Sequence, residues 1–496
     1  MASLRVSATP SNSEDKRAES EPDEEERTRM SVFCVAHRGE IATDQAIREH
    51  YTSSLQSLFS PNTVREMQMR DLLSLLVLLA PILAGCASIA KGVTEGVMAS
   101  REQGDAPTSI CTIRGPAFEA LASTLERQSH AGPGHSTKVL MVHGIGKHLP
   151  GYSGRLRDNL ASALGLNVVQ EKFKELSLLG PPPRPDLDLG DAVLGTLRVH
   201  RYTNKEASRE LLFYELTWSG ITDPLKEAIL AYDNSEEYAY QRASLNRMMK
   251  AFVNSHIPDP IIYTGDIQLQ ILTAVTQSLC WMASSDWNDL PSEGLHRCDP
   301  LNEKITQHLR EDELTIITHS LGSRIALDAL QAMAQSALRR RADAARLIQA
   351  MQDKTIPVYM LANQLPLLQL GFVEPAVTGK IPEYCRSTGK HFGQRLFRQV
   401  RVVAFSDPND ILSYALPPGF ADRHIDSQIC PQVVNVTVNV ASVKSIPVLG
   451  EVANPLAAHN DYEADERVIG LMAHGIGTPR TAPAVQDRCK WMETRD

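Results

Sequence analysis

Residues 314–351 read LTIITHSLGSRIALDALQAMAQSALRRRADAARLIQAM, and the change of pattern inside this stretch decides the fold. Leu314 to Thr318 is a short apolar and β-branched run of the kind that forms a buried strand. From Arg324 onward strong helix formers carry apolar residues at helical spacing, so a helix follows. Between the two, His319-Ser320-Leu321-Gly322-Ser323 has to reverse the chain in a few residues. A serine in such a junction sits on strained backbone with its hydroxyl outward, beside the free N–H groups of a helix start that can stabilise an oxyanion.

Working outward, the same alternation recurs. Lys138-Val139-Leu140-Met141-Val142 predicts a buried strand ending in the loop His143-Gly144-Ile145-Gly146, and residues after Pro150 turn helical. Leu194 to Tyr202, Leu211 to Trp218, Ile356 to Ala362, Gln399 to Phe405 and Val433 to Val440 predict further strands. Strands alternating with helices define an α/β fold with a mostly parallel central sheet and flanking helices. Residues 223–299 break the alternation with long helical periodicities and few strand signals, and are expected to form an inserted helical cap. The core is then 137–222 and 300–480, preceded by a linker and first helix over 87–136 and followed by a tail, 481–496.

The 496 residues are 43% hydrophobic, 22% charged and 5% aromatic, a composition that rules out a fibre or a multi-span membrane protein. Fifty Lys and Arg against fifty-nine Asp and Glu give a net charge of −9, so no basic surface is on offer to nucleic acid. Residues 1–30 mix eight acidic and five basic side chains with Ser, Pro and Ala and have almost nothing to bury; with the rest of 1–66 they are expected to be a disordered or unrelated leader. Leu72 to Ala84, LLSLLVLLAPILA, is too short to cross about 30 Å of hydrocarbon but fits the apolar core of a signal peptide starting at Met67 or Met69. Extended to nineteen residues, LLSLLVLLAPILAGCASIA also fits a signal-anchor or a buried helix.

Two resemblances add to this reading. Leu83-Ala84-Gly85-Cys86 resembles a bacterial lipoprotein lipobox, which implies cleavage before Cys86, acylation of Cys86, and a protein held on the membrane of the cell envelope and facing the periplasm. A cytoplasmic enzyme is the alternative. Lys138 to Gly475 resembles the α/β-hydrolase superfamily in its lipase and esterase branch. Thr318-His319-Ser320-Leu321-Gly322 stands where that family has G-x-S-x-G, with Thr318 in the first small position. The family's chain order of Ser, acid and His is matched by Ser320, then Asp410 or its alternate Asp407 in SDPNDIL after the Gln399–Phe405 strand, then His459 in NPLAAHNDY. Asp410, ahead of a hydrophobic pair, is the favoured acid.

The resemblance further implies an oxyanion hole from the N–H groups of Ile145 and Leu321, with Gly144 and Gly146 shaping the loop, and a Ser320 hydroxyl within hydrogen-bond reach of His459. It implies ester hydrolysis with no metal or organic cofactor, on a small-molecule or lipid ester; a thioesterase, a peptidase and a catalytically silent binder on the same fold are the alternatives. The HGIG repeated at His474–Gly477 follows a helix rather than a strand, so Gly475 is expected only to cap it. The eight cysteines show no zinc-type spacing. With Cys34 and Cys86 set aside, six remain for disulfides, whose pairing is open; Cys280 with Cys298 is sterically plausible, as is a buried free Cys280. Oligomeric state is not legible.

Overall fold

In the computed structural model the described residues are 111–494, apart from 132–134, 170–172, 183–189, 340–343 and 447–449. The leader, the apolar segment and Cys86 lie outside them. The strands are β1 (Cys111–Arg114), β2 (Thr137–Val142), β3 (Asn167–Val168), β4 (Lys174–Gly180), β5 (Ala192–Thr203), β6 (Glu210–Thr217) and β7 (Leu295–His296). Then follow β8 (Glu313–His319), β9 (Thr355–Leu361), β10 (Gln399–Ser406), β11 (Pro431–Val438), the hairpin β12 (Val443–Ile446) and β13 (Gly450–Ala453), and β14 (Lys490–Met492).

Twelve strands form one sheet, ordered β14-β1-β11-β10-β9-β8-β2-β6-β5-β4-β7, with β3 beside β5. The six from β6 to β11 run parallel. Helices cover both faces because the parallel strands are apolar on both sides: Ile316 of β8 and Leu140 of β2 enter one core, whereas Ile317, Val139 and Met141 enter the other. The protein is therefore of the α/β class, with a mostly parallel central sheet and flanking helices.

Three boundaries differ from expectation. The helical insertion divides: the Gln268–Ser284 helix buries Ile271, Val275 and Met282 against the sheet and the Gly322–Arg339 helix, and Leu295–His296 joins β4. The stretch 223–263 packs differently: its helices bury Lys226, Asn254 and Asp259 and keep Ile229, Met249, Phe252 and Ile261 outside. Cys111–Arg114, inside the expected linker, is a strand paired with β11, and the expected tail supplies a helix, Pro483–Arg488, and the strand β14 that pairs with β1. Both are too short to carry a periodic signal, and a disulfide between Cys111 and Cys489 ties them together. Cys280 pairs with Cys298 and Cys385 with Cys430, so the six described cysteines are all bonded. Among the described residues no helix is long and apolar enough to cross a membrane.

Where the parallel strands begin, Lys138 at the start of β2 is fully buried, its Nζ 2.5 Å from Asp312 Oδ2 and donating to the Ser285 carbonyl at 2.9 Å. Asp286 and His308 complete a group whose side-chain ligand atoms lie within 4.8 Å of one another, but the lysine ammonium already provides the positive charge that a metal ion would bring there. Removing it strands the Asp312 charge in the interior. Lys138→Ala is expected to destabilise the protein by about 3–5 kcal/mol in chemical denaturation, whereas the Lys138→Met, Asp312→Leu double variant, which removes both charges, recovers most of that loss.

Candidate active site

The site is built from the C-terminal ends of β2, β8, β10 and the chain after β13. Ser320 follows β8 with φ of 55°, a left-handed conformation that a non-glycine residue adopts only where its surroundings enforce it. Its N–H donates to Leu361 at the end of β9, and its carbonyl accepts from the Ser323 N–H at 3.0 Å and the Ser323 hydroxyl at 2.6 Å. The turn can be this tight because Gly322 lies against β2: a Cβ there would stand 2.5 Å from the Val142 carbonyl oxygen. Thr318 fits in place of the usual small residue by turning its hydroxyl to the neighbouring strand, donating to the Tyr359 carbonyl at 3.4 Å.

Gly144 brings the β2 loop onto the serine. A Cβ at this position would meet Ser320 Cβ at 2.6 Å and Oγ at 3.1 Å, so only glycine admits the approach. The loop is held from both sides. His143 donates from Nδ1 to the Gly144 carbonyl and accepts the Trp218 N–H at Nε2, and its ring stacks on Trp218. Burial drives His143 well below the ordinary histidine range, which keeps it neutral in that dual role. Further on, Gly146 donates its N–H to Asp259 at 2.6 Å, and buried Glu215 of β6 accepts from Gly151 and Ser153. Among the described residues, the N–H groups of Ile145 and Leu321 have no protein acceptor, which leaves both available to a ligand.

The two candidate acids have different work. Asp407 is a brace: Oδ1 accepts from the N–H and the side chain of Asn409, and Oδ2 from the N–H groups of Val440 and Ala441. Asp410 accepts the Leu412 N–H on Oδ1 and the His459 Nδ1–H on Oδ2 at 2.8 Å. Burial alone would raise the Asp410 carboxyl, but its hydrogen bond to His459 and the imidazole's charge outweigh burial and hold it below the usual carboxylate range. With Nδ1 donating to the carboxylate, Nε2 is the basic nitrogen of His459.

The Ser320 hydroxyl, 1% exposed as a residue, makes no hydrogen bond, so the expected serine–imidazole bond is not formed in this state. Such bonds are commonly long or misaligned in unliganded sites and tighten around substrate.

His319, inside the serine motif, has a role the sequence did not disclose. Its Nε2–H donates to the His459 carbonyl at 2.8 Å, tying the histidine loop to the serine turn. Burial, with the nearby His459 adding to it, lowers its pKa to about 3, so it remains a neutral donor. Asp259 carried no signal either, since only the folded chain brings it to Gly146. A polar cavity of about 200 Å³ adjoins His319 and is lined also by His148, Tyr152, Arg155, Asp461 and Glu463, whose carboxyl burial raises to about 7. An apolar cavity of about 160 Å³ lies where the strands begin, against Leu314, Ile316 and Ile356, and is separate from this site.

Gly475 ends the Glu466–His474 helix with φ of 74°, and Ile476 next to it bridges to Phe118. The second HGIG is thus a helix end rather than a part of the site. No protein-family model matches the chain, and neither does any curated protein or solved structure.

Proposed function

We propose that this protein is a serine hydrolase of the α/β-hydrolase type that cleaves carboxylic esters. The observation that carries the reading is the 2.8 Å contact between Asp410 and His459 Nδ1 at the sheet edge where Ser320 stands on strained backbone. In the reaction Ser320 Oγ attacks the acyl carbonyl and passes its proton to His459 Nε2, while Asp410 holds the ring and supports the imidazolium. The tetrahedral oxyanion takes the N–H groups of Ile145 and Leu321, each contributing on the order of 3 kcal/mol to lowering the barrier. His459 then protonates the leaving alkoxide; water, deprotonated by the same nitrogen, hydrolyses the acyl-enzyme and regenerates Ser320. A thioester or amide would follow the same steps.

Three disulfides support a location in an oxidising compartment, in keeping with the lipobox-like Leu83–Cys86 and a periplasmic, membrane-tethered enzyme. One observation favours a catalytically silent binder instead: the Ser320 hydroxyl is buried and without a hydrogen bond. A fluorophosphonate probe separates the two. The full chain with its disulfides intact is expected to take up one equivalent at Ser320, by peptide mass, and Ser320→Ala to take up none; an unlabelled native chain overturns the hydrolase reading.

A further inference from the structure

The helices that project from the sheet are amphipathic the wrong way round for a protein in water. In the Asp223–Asn234 helix the buried residue is Lys226, while Leu225, Ile229 and Tyr232, spaced to share one face, are exposed, Ile229 by 70%. In the Ser244–His256 helix the buried residue is Asn254, while Met249, Phe252 and Val253 are exposed. Ile261, on the next helix, is 67% exposed. A soluble helix turns its apolar stripe to the core, so an outward stripe repeated on adjacent helices marks a surface meant for an apolar medium.

The polar inner face has a reason to be polar. Lys226 Nζ pairs with Asp223 at 2.8 Å and with Asp259 Oδ1 at 3.0 Å, and Asp259 holds the Gly146 N–H of the candidate oxyanion loop. Asn254 donates to Asp233 at 2.6 Å and to Asn234 at 3.0 Å, joining the two helices. The outward apolar face is thereby fastened to the loop over Ser320.

We propose that this face docks on a lipid bilayer surface and presents the candidate active site to it. The choice of lipid over a second copy of the chain follows from where the upstream sequence joins the fold. Cys111 pairs with Val438, the last residue of β11, so the chain enters at the edge where the parallel strands end, the edge that carries Ser320, Asp410 and His459. Cys86, two positions after the apolar run Leu72 to Ala84, stands 25 positions before Cys111. A stretch of that length reaches at most roughly 80 Å, so an anchor at Cys86 holds the protein at the membrane and lets this edge, where the chain enters, reach it. The inference rests on the hydrolase reading for what docking serves, but not for docking itself.

A site-specific probe tests it. In the full chain carrying Cys34→Ser and Cys86→Ser, an added thiol at Ile229→Cys or Ile261→Cys is the one thiol outside the three disulfides and takes a nitrobenzoxadiazole label; Leu295→Cys, exposed on the edge strand β7 and outside the 223–263 helices, is the control. On phosphatidylcholine vesicles, emission is expected to rise about threefold or more at positions 229 and 261, to be quenched by brominated acyl chains, and to stay unchanged at 295. Equal behaviour at all three positions overturns the proposal. So does a rise that requires phosphatidylglycerol, since charge would then drive binding, or a rise with protein concentration in the absence of vesicles, which assigns the face to a second copy. Ile229→Glu, Met249→Glu, Ile261→Glu together should abolish the response at a label placed on Phe252→Cys, while the three leucine substitutions preserve it. Hydrolysis of a soluble p-nitrophenyl ester by the same proteins reports separately: its absence with docking intact defeats the hydrolase reading alone, and its presence without docking defeats this inference alone.

Discussion

Ser320→Ala is expected to lower turnover of short p-nitrophenyl esters by a factor on the order of 10⁶, because the nucleophile, base and acid act as one unit. The thermal midpoint should hold or rise slightly, since the substitution deletes a buried hydroxyl whose desolvation no hydrogen bond offsets. Adding His459→Ala to Ser320→Ala should cost little more. That non-additivity is the sharper measurement: two losses that multiply would place Ser320 and His459 in independent roles, and the hydrolysis would belong elsewhere.

Asp410→Asn is expected to lower turnover by a factor on the order of 10⁴ with the fold intact, because an amide facing His459 Nδ1 favours the tautomer that protonates Nε2 and so removes the base. Asp407→Asn should do the reverse. Its carboxylate accepts from Val440 and Ala441 on one oxygen and from Asn409 on the other, so replacing one oxygen with an NH₂ leaves buried donors facing a donor. A loss of about 1–3 kcal/mol in stability with turnover reduced less than about tenfold is the expected outcome. Measuring turnover and denaturation on both variants decides the assignment, and a larger loss of turnover at Asp407 than at Asp410 would reverse it.

The two aspartates illustrate how far the chain could be read unaided. Both stand in one seven-residue stretch after a strand, and local pattern could only rank them; what separates them is Val440 and Ala441, thirty-odd positions on, which claim the Asp407 carboxylate. Likewise His319 was visible only as the residue before a serine, because its acceptor is the carbonyl of a residue 140 positions away.

The sequence by itself determined the α/β class and where the parallel strands fall, since apolar runs and helical spacing are local consequences of which side chains must leave water. It also brought out the serine turn, because a strand giving way to a helix across five residues leaves few backbone paths. Only the tertiary structure decided the sheet's outer strands, where Cys111–Arg114 and Lys490–Met492 are three or four residues long and are held by partners hundreds of positions apart. It alone decided which part of the helical insertion projects: Gln268–Ser284 and Ser244–His256 are both helical by pattern, but one buries its apolar stripe on the sheet and the other turns it outward. Periodicity states that a helix has an apolar face; what that face meets depends on the distant chain that surrounds it.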